Sequence, residues 1–241
     1  MEIFVDSANI SEIKTWLDYG VIDGVTTNPS ILLKDKVYDI EIGIKAIAKM
    51  IGGRPLSVEV TTDNLEEMYV EASRFASWSE NIVVKIPVIN QFGQPSLGVI
   101  NKLEEGGVKV NVTGILSFNQ LVLAAQAGGT YLSVFAGRVS DEGNDASALI
   151  KRSVEFTERW NLGKVLVGSV RGAIDVQNAV AAGAHIITVP PPILVKMLDH
   201  KYTRETVKEF IDNAQKAMTA IAESNSRVAK LSLAKEKEMA Q

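Results

Sequence analysis

Ile82-Val83-Val84-Lys85-Ile86-Pro87-Val88 holds one polar residue, a lysine, inside a run that otherwise avoids water. Nearly continuous β-branched runs, without apolar–polar alternation, belong to strands covered on both faces, as in parallel sheets lined by helices. Seven more runs of this kind lie along the chain: Ile3–Asp6, Gly24–Asn28, Leu56–Val60, Val108–Thr113, Tyr131–Phe135, Val165–Val170 and His185–Val189. Amphipathic stretches separate most of them. Ser11–Tyr19 spaces Ile13, Trp16 and Leu17 along one helical face, and Thr62–Ser79 opens on a capping signal and an acidic first turn. Phe118–Ala127, Ser147–Trp160, Ala173–Ala182, Ile193–Leu198 and Thr203–Glu223 complete the helical pattern. Strands alternating with helices in this way predict an α/β fold, a single (β/α)8 TIM barrel, with an open doubly wound sheet as the runner-up. The barrel is expected over 1–222. A helical tail is expected over 223–241, its polar end Lys230–Gln241 fraying.

Composition narrows the chemistry. The 241 residues are 46% hydrophobic and 22% charged, so the chain is globular and not disordered. A net charge of −4 argues against a nucleic-acid partner, and no apolar run approaches the ~20 residues of a membrane span. With no cysteine and only His185 and His200, thiolate chemistry is excluded and a histidine-rich metal centre is not expected. MEIFVDSANI has no basic segment followed by a long apolar one, so a cytoplasmic protein without a signal peptide is expected.

In a barrel of this class the active site is built at the C-terminal ends of the strands. Seven of the eight expected strands carry polar residues there: Asp6; Thr26, Thr27 and Asn28; Glu59; Lys85; Asn111 and Thr113; Ser133; and Ser169 with Arg171. Phe135 and Arg138 follow the sixth strand. A lysine among apolar neighbours needs a carboxylate partner or must spend time as the neutral amine, and a neutral amine attacks ketones to give a Schiff base. Lys85 could equally reach water along its own stem, or pair with Asp6 or Glu59. The two carboxylates fit proton transfer to and from sugar hydroxyls, or simple hydrogen-bond acceptance. Asn28 fits a sugar hydroxyl or a helix N-cap before Pro29. Arg138 and Arg171 with Ser169 fit an anion site, or arginines paired with Asp141 or Asp175. His185 begins its strand at the opposite end and receives no role. Gly52-Gly53 lacks the strand and the GK[ST] of a phosphate loop.

Phe4-Val5-Asp6-Ser7-Ala8, Gly24-Val25-Thr26-Thr27-Asn28-Pro29-Ser30, Val84-Lys85-Ile86-Pro87 and Asn111-Val112-Thr113 resemble the small transaldolase and fructose-6-phosphate aldolase family. The likeness runs from Met1 to about Ala222. It implies a class I aldolase barrel, circularly permuted so that the Schiff-base lysine stands on the fourth strand, and needing no cofactor and no metal. Lys85 would be the nucleophile, Asp6 the general acid–base, and Glu59 with Thr113 the holders of a catalytic water. Asn28, Asn111 and Ser133, with Thr27 and Phe135 beside them, would bind the dihydroxyacetone part of the donor. Arg138, Ser169 and Arg171 would bind its terminal anion. Transaldolases of the family carry Glu and Phe where the aldolase carries Gln and Tyr, so Glu59 and Phe135 place the chain on the transaldolase branch. The longer segment Ile89–Ser96, the variant text Ser133–Val139 and Pro190-Pro191-Pro192 depart from the usual pattern at the rim, which keeps open a sulfofructose transaldolase beside a sugar-phosphate enzyme. The same barrel would also suit an aldolase releasing dihydroxyacetone or, at a greater distance, a non-catalytic sugar-phosphate sensor. The expected partners are a sugar phosphate or sulfosugar and further copies of the chain (dimer, pentamer or decamer).

Overall fold

A computed structural model of the chain describes residues 1–239; of the expected tail, Ala240 and Gln241 lie outside the described residues. Eight parallel strands close into a barrel in chain order: β1 (Glu2–Asp6), β2 (Gly24–Thr26), β3 (Leu56–Glu59), β4 (Ile82–Pro87), β5 (Val110–Ile115), β6 (Tyr131–Phe135), β7 (Lys164–Gly168) and β8 (Ile186–Val189). Closure is made by β1 against β8, with Phe4 opposite Thr188 and Val5 opposite Val189. The expected (β/α)8 barrel is therefore the fold, and no open sheet edge remains among the described residues.

The helices are α1 (Ile10–Asp18), α2 (Pro29–Lys34), α3 (Ile40–Ile51), α4 (Leu65–Ala76), α5 (Leu97–Glu105), α6 (Phe118–Gln126), α7 (Ala136–Asp141), α8 (Ala146–Trp160), α9 (Ala173–Ala181), α10 (Pro191–Leu198) and α11 (Lys201–Met239). Sequence patterning named no helix for α2, α3, α5 and α7. Two of them, α2 and α7, have only six residues each, and α5 follows Ser96, which makes no side-chain cap. By contrast, Asn64 caps α4 through the amides of Glu66 and Glu67, as its capping signal predicts. The second strand is shorter than expected because Asn28 leaves it: its side chain accepts the Ile31 amide at 2.9 Å and caps α2, whose first residue is Pro29. The expected helix Thr203–Glu223 lies inside α11, which runs on to Met239. The described residues divide into two compact units, Met1–Leu194 and a second that begins at Val195.

Two apolar layers hold the first unit. The larger one lies between strands and helices, where fully buried Val25, Val58, Ile86, Val112 and Val167 meet Ile13, Ile44, Met68 and Leu121. The smaller one plugs the barrel interior with Phe4, Val83, Tyr131, Leu166 and Ile186. Phe4 and Tyr131 meet edge to face with centroids 6.0 Å apart. Gly24 is glycine because a Cβ there would come within 2.7 Å of the Phe4 ring.

The strand period of two places the site on this plug. Two residues beyond Phe4, Val83, Tyr131, Leu166 and Ile186 stand Asp6, Lys85, Ser133, Gly168 and Thr188. All five line one cavity at the C-terminal ends of the strands.

Candidate active site

The cavity encloses about 510 Å³. Lys85 projects into it from β4 while remaining almost fully buried. Its Nζ lies 2.9 Å from Oε2 of Glu59 on β3 and donates to the main-chain oxygen of Thr27 at 3.0 Å. The strand pairing that sets Glu59 opposite Lys85 makes this ion pair. A buried ammonium is tolerable when a carboxylate and a carbonyl surround it.

Asp6, at the end of β1, accepts the Thr26 hydroxyl through Oδ1 at 2.6 Å. Burial pushes its carboxyl above the usual value. Lys85 and the Thr26 hydroxyl oppose that shift, and the Glu59 charge adds to it. A carboxyl so placed can carry a proton between a bound hydroxyl and water. The Thr26 hydroxyl also lies 2.5 Å from the Thr188 hydroxyl of β8.

A second polar group crosses the floor. Ser133 on β6 donates to Oδ1 of Asn111 at 2.6 Å, and Nδ2 of Asn111 on β5 donates to Ser57 at 3.1 Å. These bonds fix the amide's orientation. Thr113, two residues on along β5, is buried with no hydrogen-bond partner for its hydroxyl among the described residues.

The rim is built by the ends of β6 and β7. The Gly137 amide donates to the Ser169 carbonyl at 3.2 Å, and Ser169 holds a left-handed φ of 59°. A Cβ on Gly137 would sit 2.3 Å from the Ser169 carbonyl oxygen and 2.8 Å from Nε of Arg171, so only glycine allows this approach. Arg138 lines the cavity and makes no ion pair among the described residues. Arg171 does not line it: both terminal nitrogens of its guanidinium grip the Asp141 carboxylate, so of the two uses open to this arginine the structure takes the aspartate pair.

The structure thus gathers Asp6, Asn28, Glu59, Lys85, Asn111, Ser133, Phe135, Arg138 and Ser169 around one cavity. Thr27, Thr113 and Arg171 are not among its lining residues. The Thr27 side chain is occupied by the Ser57 carbonyl, and only its own carbonyl meets Lys85. Sequence patterning assigned no role to Ser30, Ser57, Gly168 or Thr188. For Ser57 and Thr188 a signal existed, since each is a polar residue on the inward parity of an apolar strand.

A closed parallel barrel whose C-terminal mouth holds a lysine, two carboxylates and a ring of hydroxyl and amide groups is equipped for carbonyl chemistry on a polyhydroxylated substrate. Comparison with known proteins gives that class its family. Residues 3–240 match the model of the Transaldolase/Fructose-6-phosphate aldolase family. Probable transaldolases of Streptococcus equi subsp. equi and Streptococcus pyogenes serotype M5 are each 38% identical over 214 residues, covering 88% of this chain and 97% of theirs. The chain belongs to this family of transaldolase-type enzymes of carbohydrate metabolism. Among solved structures, a cube-shaped designed protein cage built from fused symmetric oligomeric domains matches with a TM-score of 0.58 at 15% identity, covering 100% of this chain and 86% of that one. A thiamine phosphate pyrophosphorylase of Pyrococcus furiosus matches at 0.55 and 12%, covering 78% and 85%. Those two likenesses concern the fold alone. No helix among the described residues is long and apolar enough to cross a membrane.

Proposed function

We propose that the protein is a transaldolase that moves a dihydroxyacetone unit from a ketose phosphate of the fructose 6-phosphate type to an aldose acceptor through a Schiff base on Lys85. One observation carries this reading: the buried Lys85 amine, 2.9 Å from Glu59, shares one cavity with the Asp6 carboxyl, whose pKa burial raises toward the range useful for proton exchange. Glu59 takes the ammonium proton, and Lys85 Nζ attacks the C2 carbonyl to give a carbinolamine. Glu59 returns the proton to the departing hydroxyl, which leaves as water to give the iminium. The iminium draws electrons as the C3–C4 bond breaks and Asp6 takes the C4 hydroxyl proton, releasing an aldehyde and leaving the enamine on Lys85. The enamine carbon attacks the acceptor aldehyde, Asp6 returns its proton to the new alkoxide, and water frees the product. Asn28, Asn111 and Ser133 bind the donor's hydroxyls, and Glu59 with Thr113 holds the hydrolytic water.

Transfer is favoured over release because Phe135 offers no hydroxyl to assist protonation of the enamine. Arg138 and Ser169 hold the distal anion, with Arg171 beside them. A second reading, a sulfofructose transaldolase, draws on the Arg171–Asp141 pair, which leaves a smaller positive charge suited to a monoanion. We propose cytoplasmic action as a homo-oligomer.

The test is borohydride reduction with fructose 6-phosphate or sulfofructose, followed by peptide mass spectrometry. The reduced adduct is expected on the Lys85 peptide and absent in Lys85→Ala. An adduct on another lysine, with activity surviving in Lys85→Ala, would overturn the mechanism. Free dihydroxyacetone released without acceptor as fast as turnover with one would make the enzyme an aldolase.

A further inference from the structure

We infer that Thr188 is a positioning residue: it directs the Thr26 hydroxyl proton onto Asp6, and so holds Asp6 as the ionised acceptor that C–C cleavage needs. This rests on the proposed role of Asp6 as proton carrier. The three side chains come from neighbouring strands β8, β2 and β1, and they form one hydrogen-bonded row along the inner wall. Thr26 and Thr188 are 2% and 5% exposed, so water has little access to compete within the row.

A hydroxyl has one proton. Thr26 Oγ1 stands 2.6 Å from Asp6 Oδ1 and 2.5 Å from Thr188 Oγ1, and it can donate to only one of them. An ionised carboxylate has no proton to give, so with Asp6 charged the row has a single order: Thr188 donates to Thr26, and Thr26 donates to Asp6. Each donated bond polarises the next, so Thr188 strengthens the bond that favours the charged carboxylate. The row occupies Oδ1 and leaves Oδ2 with no protein partner among the described residues, open to a substrate proton. The charges that also act on Asp6 are Lys85 of β4 and Lys34 of α2, which favour its ionised form, and Glu59 of β3, which opposes it. Thr188 touches none of them by hydrogen bond, so its influence passes through Thr26.

The experiment is the pH dependence of kcat/KM for wild type, Thr188→Val, Thr188→Ser, Thr26→Val and the double variant Thr26→Val/Thr188→Val, with borohydride trapping on Lys85 in each. Thr188→Val removes the donor at nearly constant volume. Its acidic limb should move about half a unit to one unit toward higher pH, and kcat/KM on that limb should fall about three- to tenfold, the scale of one lost hydrogen bond. Thr188→Ser should restore both. In the Thr26→Val background, Thr188→Val should add nothing further. If Thr188→Val does not fold, Thr188→Cys, a weak donor of similar size, should give a smaller shift in the same direction. A lowered rate with an unmoved limb, additive losses in the double variant, or failure of serine to rescue would each overturn the relay. An adduct on Lys85 with an unmoved limb sinks the relay alone. No adduct in the wild type ends the Schiff-base reading and the relay with it.

Discussion

At the scale of single residues, the site sets stability against chemistry at Asp6. Its carboxyl is raised above the ordinary value near 3.8, chiefly by burial. The folded state therefore keeps this proton in a pH range where the unfolded chain has released it. The associated stability is complete below the unfolded pKa and is lost as pH rises through the folded value. Asp6→Asn removes that loss and keeps an acceptor for Thr26. The variant should match the wild type's Tm below the unfolded pKa and exceed it by a margin that grows as pH rises and levels off above the folded value, each kcal/mol appearing in calorimetry as about 2–4 °C for a chain of this size. Turnover should fall ~100- to 10,000-fold in the same variant. A Tm advantage that is flat with pH would show that the buried charge is not the cause. The residue scale is also where sequence is most legible: one lysine among apolar residues at 82–88 marks the centre of the cavity. Arg171 shows the limit, since an arginine after a strand looks the same whether it faces a ligand or, as here, Asp141.

At the scale of elements, the rim depends on two segments that meet by main chain. β6 passes directly into α7, and the Gly137 amide binds the carbonyl of Ser169, just past β7. A methyl group at 137 would collide with that carbonyl oxygen at 2.3 Å, and main chain cannot move aside as a flexible side chain can. Gly137→Ala should therefore displace the Ser169–Arg171 turn. The expected result is a loss of ~1–3 kcal/mol of stability by denaturant titration, and a rise in KM for anionic donors larger than for dihydroxyacetone. Equal changes for charged and uncharged donors would mean that the turn serves only the fold. Sequence patterning missed α7 because its pattern spans little more than a turn, too short for helical periodicity to register.

At the scale of the whole molecule, α11 carries an apolar stripe over 207–228, broken by Asn225. Its 39 residues place Val207, Ile211, Ala214, Met218, Ile221, Asn225 and Val228 at alternating spacings of four and three, the spacing of a two-helix seam. Val207, Ile211, Met218, Ile221 and Val228 are more than half exposed in the single chain. The proposed homo-oligomer puts another copy's α11 there. Ile211→Glu with Ile221→Glu should reduce the mass seen by light scattering to that of one chain. It should also abolish the rise of Tm with protein concentration expected of the wild type. An unchanged mass would place the contacts elsewhere or leave the protein a monomer.

The eight-strand alternation, the lysine, both carboxylates and the hydroxyl- and amide-bearing strand ends were all determined by sequence alone. They follow from periodicity and from which side chains tolerate burial, and both act over a few residues at a time. Tertiary structure alone decided which of those polar groups hold one another. Glu59 pairs with Lys85, Asn111 joins Ser57 to Ser133, Thr188 reaches Asp6 through Thr26, and Arg171 turns to Asp141. Partners such as Thr26 and Thr188 stand 162 residues apart in the chain. Only barrel closure, through the register of β8 on β1 and β1 on β2, brings their hydroxyls within hydrogen-bonding distance.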